Sequence, residues 1–135
     1  MILVDTTVWI DFLKGQKTPW VSAFEKSITD RVDIYICGVI KMEILQGLDT
    51  DKEYKLVRDR LDICLNALIH ESTYLMAAMI YRKSRSNGYT IRKSIDCLIA
   101  ATAIENKLTL LHHDKDFDFI EKSTTLKNFK LVKSI

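Results

Sequence analysis

Apolar positions fall into short runs separated by longer amphipathic stretches. Ile2, Leu3 and Val4 form a continuous apolar run, the pattern of a strand buried on both faces. Ile34, Tyr35 and Ile36 and the segment 108–111 read the same way, and residues 129–132 suit a last, edge strand. Between them the spacing turns helical. Thr6 or Thr7 can cap a helix that Gly15 ends, and Thr18-Pro19 is a second helix start. Trp20, Phe24 and Ile28 then recur one turn apart. Val39, Met42, Leu45 and Gln46 open a short helix carrying Glu43.

A longer helix is expected over 51–66, with Tyr54, Val57, Leu61, Cys64 and Leu65 as its stripe, followed by a short strand at 67–69. The segment 72–86 is helical, with Asn87-Gly88 as its stop. The segment 95–104 is the most apolar helix and carries Asp96 in its first turn; 114–120 holds a turn and a short helix. Strands alternating with helices predict an α/β fold: a mostly parallel sheet of short strands flanked by helices on both faces. In such sheets functional groups gather beyond the carboxyl ends of the strands. Asp5 directly follows the first strand and Asp114 follows a later one, so the two can meet despite their separation in sequence.

The chain has 135 residues, 47% of them hydrophobic, which is one domain's worth of core, and a single domain over 1–135 is expected. A net charge of +2 neither demands a nucleic-acid partner nor excludes one, because an acidic site masks basic residues in the sum. Cys37, Cys64 and Cys97 are odd in number and form no CxxC pair, which argues against a zinc site or a disulfide framework. The start MILVD lacks the features of a signal peptide, and no stretch approaches the ~18 apolar residues of a membrane span. A cytoplasmic protein without a membrane partner is expected.

Most of the eighteen acids sit on charged helix faces. Four stand in apolar surroundings: Asp5 after Ile2-Leu3-Val4, Glu43 between Met42 and Ile44, Asp96 between Ile95 and Cys97, and Asp114 after a strand. An acid so placed costs desolvation energy unless it is paired or binds a cation. Each alone is equally well explained as a helix cap or half of an ion pair. As a set they are not, since clustered carboxylates raise one another's pKa and need a counter-ion. Oxygen ligands without His or Cys suit Mg²⁺ or Mn²⁺.

The segments VDTTVWIDFL, GVIKMEILQG and IRKSIDCLIAATAIENKLTLLHHDKDF, in this order, resemble the PIN-domain family, and within it the VapC-type toxins. Each piece is weak by itself; their order and coverage of nearly the whole chain make the resemblance specific. It implies a parallel sheet of about five strands. It also implies that Asp5, Glu43, Asp96 and Asp114 correspond to the family's four metal-site acids, with Asp5 and Asp96 as the firmest ligands. Thr7 matches a small polar residue supporting the site, and Asp116 an acid often found two residues after the fourth. The implied activity is Mg²⁺- or Mn²⁺-dependent cleavage of structured RNA such as tRNA or rRNA. The implied partners are RNA, a VapB-like antitoxin and a second copy of the chain. A DNA-processing nuclease and a non-catalytic RNA-binding module are the competing readings. A phosphoacceptor receiver domain is disfavoured, because its paired acids and later lysine are not evident.

Arg92 and Lys93 lie within one turn of Asp96 and could grip RNA phosphates; a solvated helix end is the bland alternative. His112 and His113 invite a general-base role, but surface histidines at a strand end explain them better, and His70 is read as a lone surface residue. Asp118 is expected at the surface.

Overall fold

The apolar run Ile2–Val4 forms β1, at the centre of the molecule and almost fully buried. The structure, a computed structural model, describes residues 1–131. Its elements follow as α1 (Thr6–Leu13), α2 (Pro19–Thr29), β2 (Ile34–Ile36), α3 (Gly38–Gln46), α4 (Asp51–Leu61) and β3 (Leu65–Asn66). Then come α5 (Glu71–Ser86), α6 (Ser94–Glu105), β4 (Thr109–Leu111) and α7 (Lys115–Ser123). All strand pairings are parallel, in the order β3-β2-β1-β4. Beyond β4, Leu110 bridges in parallel to Asn128, where a further edge strand was expected. Val132, the end of that expected strand, lies outside the described residues.

The chain steps from β1 to β2 and β3 on one side and places β4 on the other. The order therefore reverses at β1, and the crevice beyond the carboxyl ends of β1 and β4 is the topological switch point of the sheet. α1 packs on α2 and α3, while α5, α6 and α7 pack on one another, so helices flank the sheet. α6 is buried over most of its surface, with Ile99, Ala100, Ala101, Thr102 and Ala103 inside; its small side chains let α5 approach closely.

Local signals explain most boundaries. Thr18 Oγ1 accepts from the Val21 amide at 3.1 Å, and Pro19 occupies the first helical position. Gly88 follows α5 at φ +87°, a conformation that glycine adopts without strain.

Three expectations need correction. The cap of α1 is Asp5, not Thr6 or Thr7. The helix expected over 51–66 stops at Leu61, and the strand expected at 67–69 lies at Leu65–Asn66, paired with β2. Cys64 and Leu65 continued the spacing of Val57 and Leu61, but Leu65 is 46% exposed on an edge strand, so the pattern mimicked a helix stripe. Tyr54 and Ile28, read as inward-facing, are largely exposed.

Candidate active site

Asp5 leaves β1 with extended backbone angles, and its amide donates to the Leu111 carbonyl of the neighbouring strand at 2.9 Å. Its Oδ2 caps α1 by accepting from the Thr7 amide (3.2 Å) and the Thr7 hydroxyl (2.7 Å). The same hydroxyl oxygen accepts from the His113 amide at 3.1 Å, so Thr7 ties the end of β1 to the segment after β4. Glu43 reaches in from α3, and its Oε1 accepts from the Thr6 hydroxyl at 2.7 Å.

Asp96, in the first turn of α6, is buried, and its Oδ2 has no hydrogen-bond partner among the described residues. Asp114 caps α7, its Oδ1 accepting from the Asp116 amide at 3.0 Å. Asp116 is almost fully buried. One oxygen from each of Asp96, Asp114 and Asp116 lies within 4.8 Å of the others. Strand ends, two helix caps and one helix turn thus direct the acids into one crevice.

Such crowding is expensive for charge. Burial pushes the Asp5 carboxyl up to about 6; the Thr7 and Thr6 hydrogen bonds oppose this, and Glu43 adds to it. Burial also lifts Asp96, to about 7, reinforced by Asp5, Asp114 and Asp116 and opposed by Lys93. One cation lies against the acids. Arg92 Nε donates to Asp116 Oδ2 at 3.2 Å, and its Nη2 contacts Asp114 Oδ1 at 3.2 Å. Its guanidinium is held still more firmly in the charged form, first by the Asp116 hydrogen bond and then by the charges of Asp116 and Asp114.

The unpartnered oxygen of Asp96 is the informative atom. A buried carboxylate oxygen without a donor costs free energy, and no side-chain donor of the crevice satisfies it. The convergence of oxygen-only groups from Asp96, Asp114 and Asp116 fits a hard divalent cation.

The sequence profile of the PIN domain matches residues 2–122. Over 130 residues the chain is 34% identical to the ribonuclease VapC11 of Mycobacterium tuberculosis, an alignment spanning 94% of this chain and 96% of the relative. The chain belongs to the PIN-domain family. Solved structures agree on the fold. The FitAcB structure from Neisseria gonorrhoeae superposes with a TM-score of 0.71 at 24% identity, covering 96% of this chain and 97% of that one. For VapBC-1 from nontypeable Haemophilus influenzae the TM-score is 0.73 at 17% identity, covering 98% and 100%.

In this PIN domain Asp96 and Asp114 of the sequence-predicted acids cluster with Asp116, Asp5 acts on Asp96 and Glu43 on Asp5 through their charges, and two neighbours stand out beside them. Thr6, a buried residue, holds Glu43; the doubled Thr of Asp5-Thr6-Thr7 was the available signal. Asp116 is more buried than Asp114 and anchors Arg92 through both the side chain and the backbone amide. Arg92, expected to face RNA, has its guanidinium against the acids, while Lys93 is exposed at the N-cap of α6. His112 is not at the surface: it is buried, its Nδ1 accepts from the Asp114 amide at 3.0 Å, and burial lowers its pKa. It orients the chain at Asp114. His113 is exposed and stacks on Trp20, and Asp118 is exposed as expected.

Proposed function

We propose that this chain is a VapC-type toxin: an endoribonuclease that uses Mg²⁺ or Mn²⁺ to hydrolyse structured RNA such as tRNA or rRNA in the cytoplasm. The observation that carries this reading is the buried Asp96, which brings one oxygen within 4.8 Å of oxygens of Asp114 and Asp116 and whose Oδ2 has no hydrogen-bond partner among the described residues. Asp5, Glu43, Asp96 and Asp114 are the residues that would hold the ion, with Asp116, one of whose oxygens lies within 4.8 Å of oxygens of Asp96 and Asp114, beside them. When bound, such an ion supplies positive charge for the phosphodiester oxygens and acidifies water.

The chain's own groups do the positioning. Thr7 fixes one oxygen of Asp5, Thr6 fixes one of Glu43, and the His112 ring holds the backbone that presents Asp114. Lys93 adds a cation at the rim of the crevice. The solved toxin–antitoxin structures of similar fold support a VapB-like antitoxin as partner, and a second copy of the chain is a further expected partner. An antitoxin cation placed against the acids would compete with metal and substrate together. Among the described residues no helix is long and apolar enough to cross a membrane.

The test is to sequence RNA ends after brief expression of the wild type and of Asp5→Asn, with and without the antitoxin. New ends that appear only with the uninhibited wild type support the reading; identical ends from Asp5→Asn overturn it.

A further inference from the structure

Beside the acidic crevice the rings of Trp20 and His113 lie face to face, with centroids 3.5 Å apart and planes 12° from parallel. Trp20 belongs to the first turn of α2, and His113 to the segment between β4 and α7. Neither belongs to the core. Trp20 is half-buried, and the His113 side chain is 45% exposed although one ring face lies on Trp20. The ring's Nδ1 lies 4.0 Å from Asp11 Oδ2, which restrains it at one edge, and both rings line the cleft next to Asp114.

Two hydrogen bonds tie this pair to the acids. The His113 amide donates to Thr7 Oγ1, and that hydroxyl donates to Asp5. Asp114 is the next residue along the chain. The pair walls a cleft of about 820 Å³ that Arg92, Lys115, Phe129 and Lys130 also line together with Asp114 and Asp118; Lys130 is exposed and ion-paired with Glu121 at 3.0 Å, and Lys115 is exposed at the start of α7.

We propose that the Trp20–His113 pair is a stacking platform for one unpaired base of an RNA substrate, whose neighbouring phosphate is met by Arg92, Lys115 and Lys130. The inference rests on the ribonuclease reading above. A flat aromatic face with cations along the same cleft is the combination that single-stranded nucleic acid uses, because every base has a π-face and every linkage a charge. A base-paired duplex offers no free face. The platform therefore selects unpaired or everted nucleotides and places the adjoining phosphodiester toward the carboxylates.

The protein contains two tryptophans, and Trp9 is buried, so Trp20 is the fluorophore that RNA can reach. The experiment uses the full chain carrying Asp96→Asn, titrated with a single-stranded RNA of about ten nucleotides and with the same strand in a duplex. Single strands should quench the fluorescence and duplexes should not. Trp20→Phe, which keeps only the buried fluorophore, should show no quenching while still binding. Trp20→Ala should weaken binding about tenfold, as loss of one stacked base does, and His113→Ala should do so by a smaller factor. Circular dichroism and melting verify that each variant is folded.

Single-strand binding without quenching in the unsubstituted platform overturns the proposal, as does Trp20→Ala binding as tightly as the parent. In either case RNA cleavage by the wild type leaves the ribonuclease reading standing. A wild type that cuts no RNA removes that reading and the platform with it.

Discussion

Substituting Asp5 by Asn should stabilise the metal-free protein, increasingly as the pH rises. Asn is as good an N-cap as Asp, and its carbonyl oxygen can still accept from Thr7, so the start of α1 is preserved. What is lost is a charge that burial disfavours. Moving a carboxyl from its ordinary 3.8 to about 6 corresponds to ~3 kcal/mol of cost to the ionised native state. The sign follows from proton counts. Between pH 4 and pH 6 the native protein holds the Asp5 proton and the unfolded chain has released it, so wild-type stability falls as the pH rises. The advantage of Asn is small near pH 4, grows through this window and is complete above pH 7. For a domain of this size ~3 kcal/mol is a rise in Tm of roughly 10 °C, the upper bound of the effect. Thermal melts of both proteins in EDTA at several pH values measure it. Adding Mg²⁺ should nearly close the gap at a hundred times Kd, where wild type alone gains ~2.7 kcal/mol, and reverse the order at a thousand times Kd, where the gain is ~4.1 kcal/mol. A constant difference in Tm from pH 4 to pH 8 would refute the argument that Asp5 carries a buried charge.

Three further outcomes are expected. Asp96→Asn should reduce RNA cleavage by more than the ~10–100-fold that losing an outer-shell group costs, with an unchanged circular dichroism spectrum; near-wild-type cleavage in gel assays would exclude Asp96 as a ligand. Cleavage should cease in EDTA and return with Mg²⁺ or Mn²⁺ but poorly with Ca²⁺, whose looser coordination orients water badly; persistence in EDTA would require a metal-free mechanism. Arg92→Ala should strengthen Mg²⁺ binding in calorimetry, because it removes a cation that already neutralises Asp114 and Asp116, and unchanged or weaker affinity would show that the guanidinium does not compete for these acids.

The strands and helices were legible where period and punctuation agreed. Ile2–Val4 is too short and apolar to be anything but a buried strand, and Thr18-Pro19 and Asn87-Gly88 carry their own backbone logic. The region after Leu61 was not legible, because Cys64 and Leu65 fall where a helix stripe would put them, and only pairing with β2 decides the matter. Acids such as Asp5 and Asp96 betrayed themselves by apolar neighbours. Asp116 did not, since it stands in the mixed run Lys115-Asp116-Phe117-Asp118 with a single apolar neighbour, and its burial arises from the way α7 docks on α5 and α6. The Trp20–His113 stack joins residues more than ninety positions apart, and no local pattern foretells it. His112 and His113 look alike in sequence, yet alternation along the extended chain sends one ring inward and the other outward.

The metal-free site neutralises its acids by two separate devices, and they divide it. Asp114 and Asp116 share the guanidinium of Arg92, which sits at the solvent side with most of its side chain exposed. Asp5 and Asp96 have no such partner among the described residues, and burial instead raises their pKa, to about 6 and about 7. Holding a divalent cation would require Asp5 and Asp96 to give up their protons and Asp114 and Asp116 to share their charge with something other than Arg92. Both costs are small: the protons are lost near neutral pH, and an exposed guanidinium can swing toward water or toward a phosphate. The arrangement keeps five crowded carboxylates folded without metal while leaving Asp96 Oδ2 unsatisfied. Metal binding near pH 7 should therefore release protons, read in calorimetry as a binding heat that changes with the ionisation enthalpy of the buffer. Arg92, once freed from Asp114 and Asp116, is already within the cleft where the Trp20–His113 platform would set the substrate phosphate.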